Sequence, residues 1–269
     1  MTDSRKILFV RSGGGMPGLD IHAGIWRALE CAGIVATDVS GTSAGAIVSA
    51  YDSAAWSAIQ FESYLRGHDD DSIRHPHAGW PLRIPWLESI HDNDRVYAVL
   101  DGSLPGDWTY LRKPFAAWAT RLRDRERINV ARPGIAATPA LAALASMSIG
   151  GLFPAVTLAD GESYVDGGLR YNLPFMEAEA ADYDDVYLLI ASPRAERYTR
   201  VDGILTNFIR DLQTLAYDQI ADVLDETFSN GNVHVIWPDV GSGTGLLHFD
   251  HDLIDQAFFK TIAILDTLK

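Results

Sequence analysis

Val39-Ser40-Gly41-Thr42-Ser43-Ala44-Gly45 is the stretch on which the reading of the whole chain turns. It sets Ser43 between two glycines in the spacing Gly-x-Ser-x-Gly, behind a short apolar run and ahead of a helix-forming one. Small residues at both flanks let a strand turn sharply into a helix and leave the serine hydroxyl at the helix mouth. A helix over 44–52 points its positive end at Ser43 and favours negative charge developing there. Glycine-flanked serines also occur in ordinary turns, so the motif takes its meaning from its surroundings.

Toward the N-terminus, residues 6–11 (KILFVR) are short and apolar, as in a buried parallel strand. They lead into Ser12-Gly13-Gly14-Gly15-Met16-Pro17-Gly18. Bare N–H groups at Gly13, Gly14 and Gly15 can converge on an anion or a developing oxyanion, although a plain flexible turn also fits. From Leu19 the apolar residues recur at helical spacing through Ile25, Trp26 and Leu29 and stop at Gly33, a C-terminal cap. Residues 34–39 then read as a second strand. Strand, glycine loop, helix, strand, serine turn and helix in such quick succession predict an α/β fold, a mainly parallel sheet sandwiched between helices.

Toward the C-terminus a helix is expected over 54–65, followed at about 66–94 by an irregular, lid-like insertion rich in Asp, His, Pro and Trp. Trp80 and Trp86 there suit a cover over an apolar site, and a surface excursion that merely packs down fits equally. His75-x-His77 lacks a third and fourth ligand, so no metal site is expected. Residues 115–122 read as a strand and 140–147 as a small-residue helix. A short strand then ends in Asp166-Gly167-Gly168, where a carboxylate can reach sideways to a hydroxyl on another strand; an ordinary Asp-Gly turn fits equally. Strands over 184–192 and 232–238, and helices over 204–228 and 252–268, complete a single domain spanning 1–269.

The balance of 36 acidic against 22 basic residues gives a formal charge of −14, which leaves no basic stripe for nucleic acid. The one cysteine, Cys31, excludes an internal disulfide; its apolar helical setting predicts core packing. Met1–Lys6 carries no signal-like apolar run, and no stretch has the length of a membrane span, so the expected location is cytoplasmic.

The order glycine loop, Gly41-x-Ser43-x-Gly45, then Asp166-Gly167-Gly168 resembles the patatin-like phospholipases, acyl-ester hydrolases with a Ser-Asp dyad. The similarity extends to Ala119-Thr120, Phe153-Pro154 and Asn172-Leu173-Pro174. The resemblance implies Ser43 as nucleophile, Asp166 as its base and the N–H groups of Gly13, Gly14 and Gly15 as the oxyanion hole, with no cofactor. It further implies a lipid or small ester as substrate and transient contact with a membrane surface; the oligomeric state stays open. The family usually carries Arg or Lys before the last loop glycine, where this chain has Pro17.

Three other readings stay open on sequence. Ser43, Asp166 and then His248 or His251 follow the chain order of an α/β-hydrolase triad. Gly13-x-Gly15-x-x-Gly18, with Asp38 beyond it, fits a Rossmann-type dinucleotide fingerprint. A catalytically silent acyl-binding protein would keep the elbow without turnover.

Overall fold

Ile7–Arg11 (β1) alternates its side chains between two cores, and that alternation fixes a sheet covered on both faces. Phe9 belongs to one apolar cluster, whereas Leu8 and Val10 belong to the other. Asp185–Leu189 (β7) lies beside β1 in parallel and repeats the split, Tyr187 and Leu189 on the first side, Val186 and Leu188 on the second. Period-2 alternation with both sets apolar is what a central parallel strand requires.

The computed structural model describes residues 5–76, 89–175, 181–192, 204–225, 231–241 and 246–268. The remaining strands are Asp38–Thr42 (β2), Phe115–Arg121 (β3), Arg127–Asn129 (β4), Val156–Thr157 (β5), Ser163–Asp166 (β6) and Val233–Ile236 (β8). Their order is β5-β6-β3-β2-β1-β7-β8, with β4 also on β3. The five strands β3-β2-β1-β7-β8 are parallel, and β4, β5 and β6 add antiparallel pairings.

The helices are Gly15–Cys31 (α1), Ala44–Ser53 (α2), Ala58–Leu65 (α3), Asp94–Asp101 (α4), Pro139–Met147 (α5), Ile204–Asp225 (α6) and Asp252–Thr267 (α7). Side chains from α1, α2, α3, α5 and α7 fill the first core; Ile220 of α6 joins Leu173 and Phe175 in the second. No helix among the described residues is long and apolar enough to cross a membrane.

Several boundaries differ from those read in the sequence, each for a local reason. α1 opens at Gly15, four residues before the apolar run; Pro17 lies in its first turn, where its missing N–H costs nothing. β2 starts at Asp38 because Ile34 N–H is spent on Leu29 O, closing α1 around Gly33 at φ 75°. α3 starts at Ala58, since Ser57 and Gln60 form a reciprocal capping box. α4 was not anticipated, and it lies just beyond the expected irregular stretch. Within that stretch Asp70–Ser72 is a 3₁₀ turn and Pro76 bridges His91. Trp80, Trp86 and His77 lie outside the described residues, and His75 pairs with Asp92. Cys31 is exposed, not packed in the core, because it falls on the outer side of the last turn of α1.

A buried ion pair ties the end of β1 to the end of α2. Arg11 Nη2 donates to Asp52 Oδ2 at 2.6 Å with both side chains fully buried, and Lys113 reaches the other carboxylate oxygen. Burial lowers the Arg11 proton affinity while Asp52 pulls it back up. Removing one partner strands a buried charge, so Asp52→Ala is expected to cost about 3–5 kcal/mol. That is a large part of the ~5–15 kcal/mol typical of a domain. Urea unfolding measures it; a midpoint equal to the wild type would contradict the stated role of the pair.

Candidate active site

Ser43 stands where β2 hands over to α2, and the flanking glycines explain how the handover closes. A Cβ on Gly41 would lie 2.3 Å from the Gly45 carbonyl group, and one on Gly45 would lie 2.4 Å from the Arg11 carbonyl oxygen. Neither position admits a side chain. Ser43 itself takes φ 54°, ψ −123°, a left-handed conformation that costs a non-glycine residue about 1–3 kcal/mol and recurs at nucleophile elbows. Its N–H donates to Ser146 Oγ at 3.0 Å, and Ser146 in turn donates to Trp118 O at 2.6 Å.

β3 sets the Asp166 carboxylate beside the serine. Thr42 pairs with Trp118 on one side of β3, and Asp166 pairs with Ala119 on the other. The end of β6 is held by Asp166 N–H to Ser148 O at 2.9 Å and Thr120 Oγ1 to Asp166 O at 3.1 Å. Asp166 Oδ1 accepts the Gly168 N–H at 2.6 Å. Burial pushes this carboxyl up to about 6, against the Ser43 hydroxyl and the Gly168 N–H, which pull it down. Oδ2 is buried with no partner of full hydrogen-bond geometry among the described residues. The Ser43 hydroxyl therefore neighbours the carboxylate without meeting full hydrogen-bond geometry.

The glycine loop is clamped from several sides. His22, fully buried, has its proton affinity pushed down to about 3 by burial, so the ring is neutral and Nε2–H donates to Ser12 O at 2.8 Å. Ser12 Oγ donates to Gly13 O at 2.9 Å and accepts the Ala191 N–H at 3.0 Å. The Gly13 N–H donates to Asn172 O at 3.0 Å and the Met16 N–H to Leu246 O at 2.9 Å. The Gly13 N–H, expected to face an oxyanion, is thus engaged by Asn172 in this structure. The N–H groups of Gly14 and Gly15 have no acceptor among the described residues.

The alternative roles drawn from sequence find their residues elsewhere. His248 Nδ1 lies against Asp70, and His251 is held by Asp20 Oδ1 at 2.8 Å and His68 O at 3.1 Å. Neither ring has a hydrogen bond to Ser43 among these contacts. The Met16 N–H at the start of α1, which a dinucleotide phosphate would need, is capped by Leu246 O. Asp38 takes the Thr37 hydroxyl at 2.7 Å.

Beside Ser43 lies a narrow apolar cleft lined by Met16, Leu19, Ile47, Met147, Ile149, Phe153 and Leu247. Leu247 belongs to a strap pinned by Arg74 Nε on Leu247 O at 2.8 Å and by Asp70 on Phe249 N–H at 2.9 Å. Ser146 and the strap were missed in the sequence. The one available signal was a polar residue at position 146 in a helix otherwise built of alanine and apolar residues.

A family model described as patatin-like phospholipase matches residues 9–179. The crystal structure of VipD from Legionella pneumophila is similar in fold, with a TM-score of 0.54 at 15% identity over 98% of this chain and 67% of that one. No curated protein matches in sequence. The family match takes in the glycine loop, the Gly41-x-Ser43-x-Gly45 turn and Asp166-Gly167-Gly168, and with that coverage the chain belongs to the patatin-like phospholipase family.

Proposed function

We propose that residues 1–269 form a serine acyl-ester hydrolase domain in which Ser43 is the nucleophile and Asp166 its general base. Family membership implies lipid acyl hydrolase activity. The single observation that carries the finer assignment is a buried carboxyl raised to about 6 beside a serine at a strained elbow. A serine hydroxyl is a weak nucleophile near neutral pH and needs a base within reach, and burial gives a carboxylate the proton affinity to serve.

In acylation the Ser43 proton passes to Asp166 as Oγ attacks the ester carbonyl carbon. The tetrahedral oxyanion is held by Gly14 and Gly15 N–H, with the positive end of α2 nearby. Collapse expels the alcohol, which takes the proton from Asp166. In deacylation a water loses its proton to Asp166, attacks the acyl-enzyme and releases the carboxylic acid, and the proton returns to Ser43 Oγ. The acyl chain would lie against the apolar lining beside Ser43, which would have to open to admit it. No metal or cofactor enters these steps.

The oxyanion assignment has a direct consequence. Gly15 has φ 64°, and a Cβ there would lie 2.5 Å from Leu246 Cδ1 and from its carbonyl oxygen. Gly15→Ala is therefore expected to lower kcat by about 10²- to 10³-fold by displacing a donor. An unchanged kcat would remove Gly15 from the oxyanion hole.

Substrate choice follows from charge. A chain at −14, with Pro17 where relatives carry a cation, lacks the long-range field that draws anionic head groups. Neutral carboxylic esters are expected to be hydrolysed at least as efficiently as phospholipids. The test compares kcat/KM for p-nitrophenyl acyl esters with that for phosphatidylcholine and phosphatidylglycerol vesicles at low and high salt. A preference for anionic vesicles that fades as salt rises would contradict this choice of substrate.

A further inference from the structure

The side chain of Gln219 lies on α6, beyond the residues that match the family model, yet it grips the loop that follows the proposed base. Its Oε1 accepts the Asn172 N–H at 2.8 Å, and its Nε2 donates to Gly168 O at 3.0 Å. One amide thus takes one backbone group at each end of the turn 168–172. The neighbouring Ile220 is fully buried in the second core with Leu173 and Phe175, so packing fixes where the Gln219 amide sits.

Both gripped residues act on the catalytic groups. Gly168 gives its N–H to Asp166 Oδ1 at 2.6 Å, one of the two contacts that favour the ionised carboxylate. Asn172 gives its carbonyl oxygen to the Gly13 N–H and so anchors the glycine loop. Its side-chain oxygen also fills the space where a Cβ on Gly13 or Gly168 would stand, at 2.4 and 3.1 Å. Asn172 therefore packs against the oxyanion loop and the base turn together.

We infer that Gln219 is a positioning residue for the Ser43–Asp166 pair, acting through Gly168 and Asn172; the inference rests on the hydrolase reading above. Freed from Gln219, the 168–172 turn relaxes and the Gly168 N–H leaves Asp166 Oδ1. The carboxylate loses a stabilising donor, its proton affinity climbs, and the base is ionised only at higher pH. The apolar cleft draws none of its lining from this turn or from α6, so substrate binding is spared.

The test is Gln219→Met, a chain of similar length without hydrogen-bonding groups, assayed on a p-nitrophenyl ester across pH beside Asp218→Ala, an exposed neighbour on the same helix. The expected result is a fall in kcat of roughly 10- to 100-fold with KM within about twofold. The acid limb of the pH profile moves upward, and Asp218→Ala behaves as wild type. Gln219→Asn keeps the amide but is too short to span both backbone groups, so it shows the same shift at smaller amplitude if the methionine variant does not fold. A wild-type kcat and acid limb in a folded variant overturns the inference. So does a fall in kcat with the limb unmoved, which marks a merely structural role. If Ser43→Ala and Asp166→Asn are inactive while Gln219→Met is normal, only this inference fails; hydrolysis by Ser43→Ala removes the reading beneath it.

Discussion

Ser43→Ala is expected to lose ester hydrolysis by roughly 10⁴-fold or more while keeping its fold, as nucleophile removal does in serine hydrolases. The fold should survive because the contact that places residue 43 runs through its backbone: the N–H donates to Ser146 Oγ, and alanine keeps that N–H. The strain at φ 54° is shared by serine and alanine, so no new backbone cost enters. Unchanged circular dichroism and melting temperature beside vanished turnover is the expected pair of readings. Turnover within tenfold of wild type would end the nucleophile assignment.

Asp166→Asn should be comparably inactive, because the amide matches the carboxylate in shape but cannot take the serine proton. It should also be more stable than the wild type at neutral pH. Burial raises the folded carboxyl from 3.8 to about 6, so its contribution to stability is full below the unfolded value and is lost as pH climbs through about 6. The cost at neutral pH is about 3 kcal/mol, which the neutral amide escapes. Urea unfolding at pH 7.5 and pH 4 checks this, with a gap at the higher pH that closes at the lower. In the wild type the same ionisation is expected to make kcat/KM fall as pH drops below about 6. Substantial activity in Asp166→Asn, with loss in His251→Ala, would transfer the base role to a histidine.

What the sequence revealed and what it hid divide along the range of the interactions. Gly41 and Gly45 are legible because their constraint is steric and local: the elbow cannot close around a side chain. β1, with apolar residues facing both cores, declares itself as a central strand for the same reason. Long-range polar pairing leaves no such trace. Nothing near Gly13 announces that Asn172 will take its N–H, or that Leu246 will cap Met16. His248 and His251 looked available for a triad, yet their partners Asp70 and Asp20 are set by how the C-terminal strap folds back. Cys31 was misplaced because an apolar helical neighbourhood does not say on which side of its last turn a residue falls.

The roles of Ser43 and Asp166 meet in one measurement, labelling of the whole protein with a fluorophosphonate probe and mapping of the adduct by peptide mass spectrometry. A single adduct is expected on the peptide that contains Ser43, absent from Ser43→Ala and strongly slowed in Asp166→Asn. An adduct on another residue, persisting in Ser43→Ala together with ester hydrolysis, would contradict it.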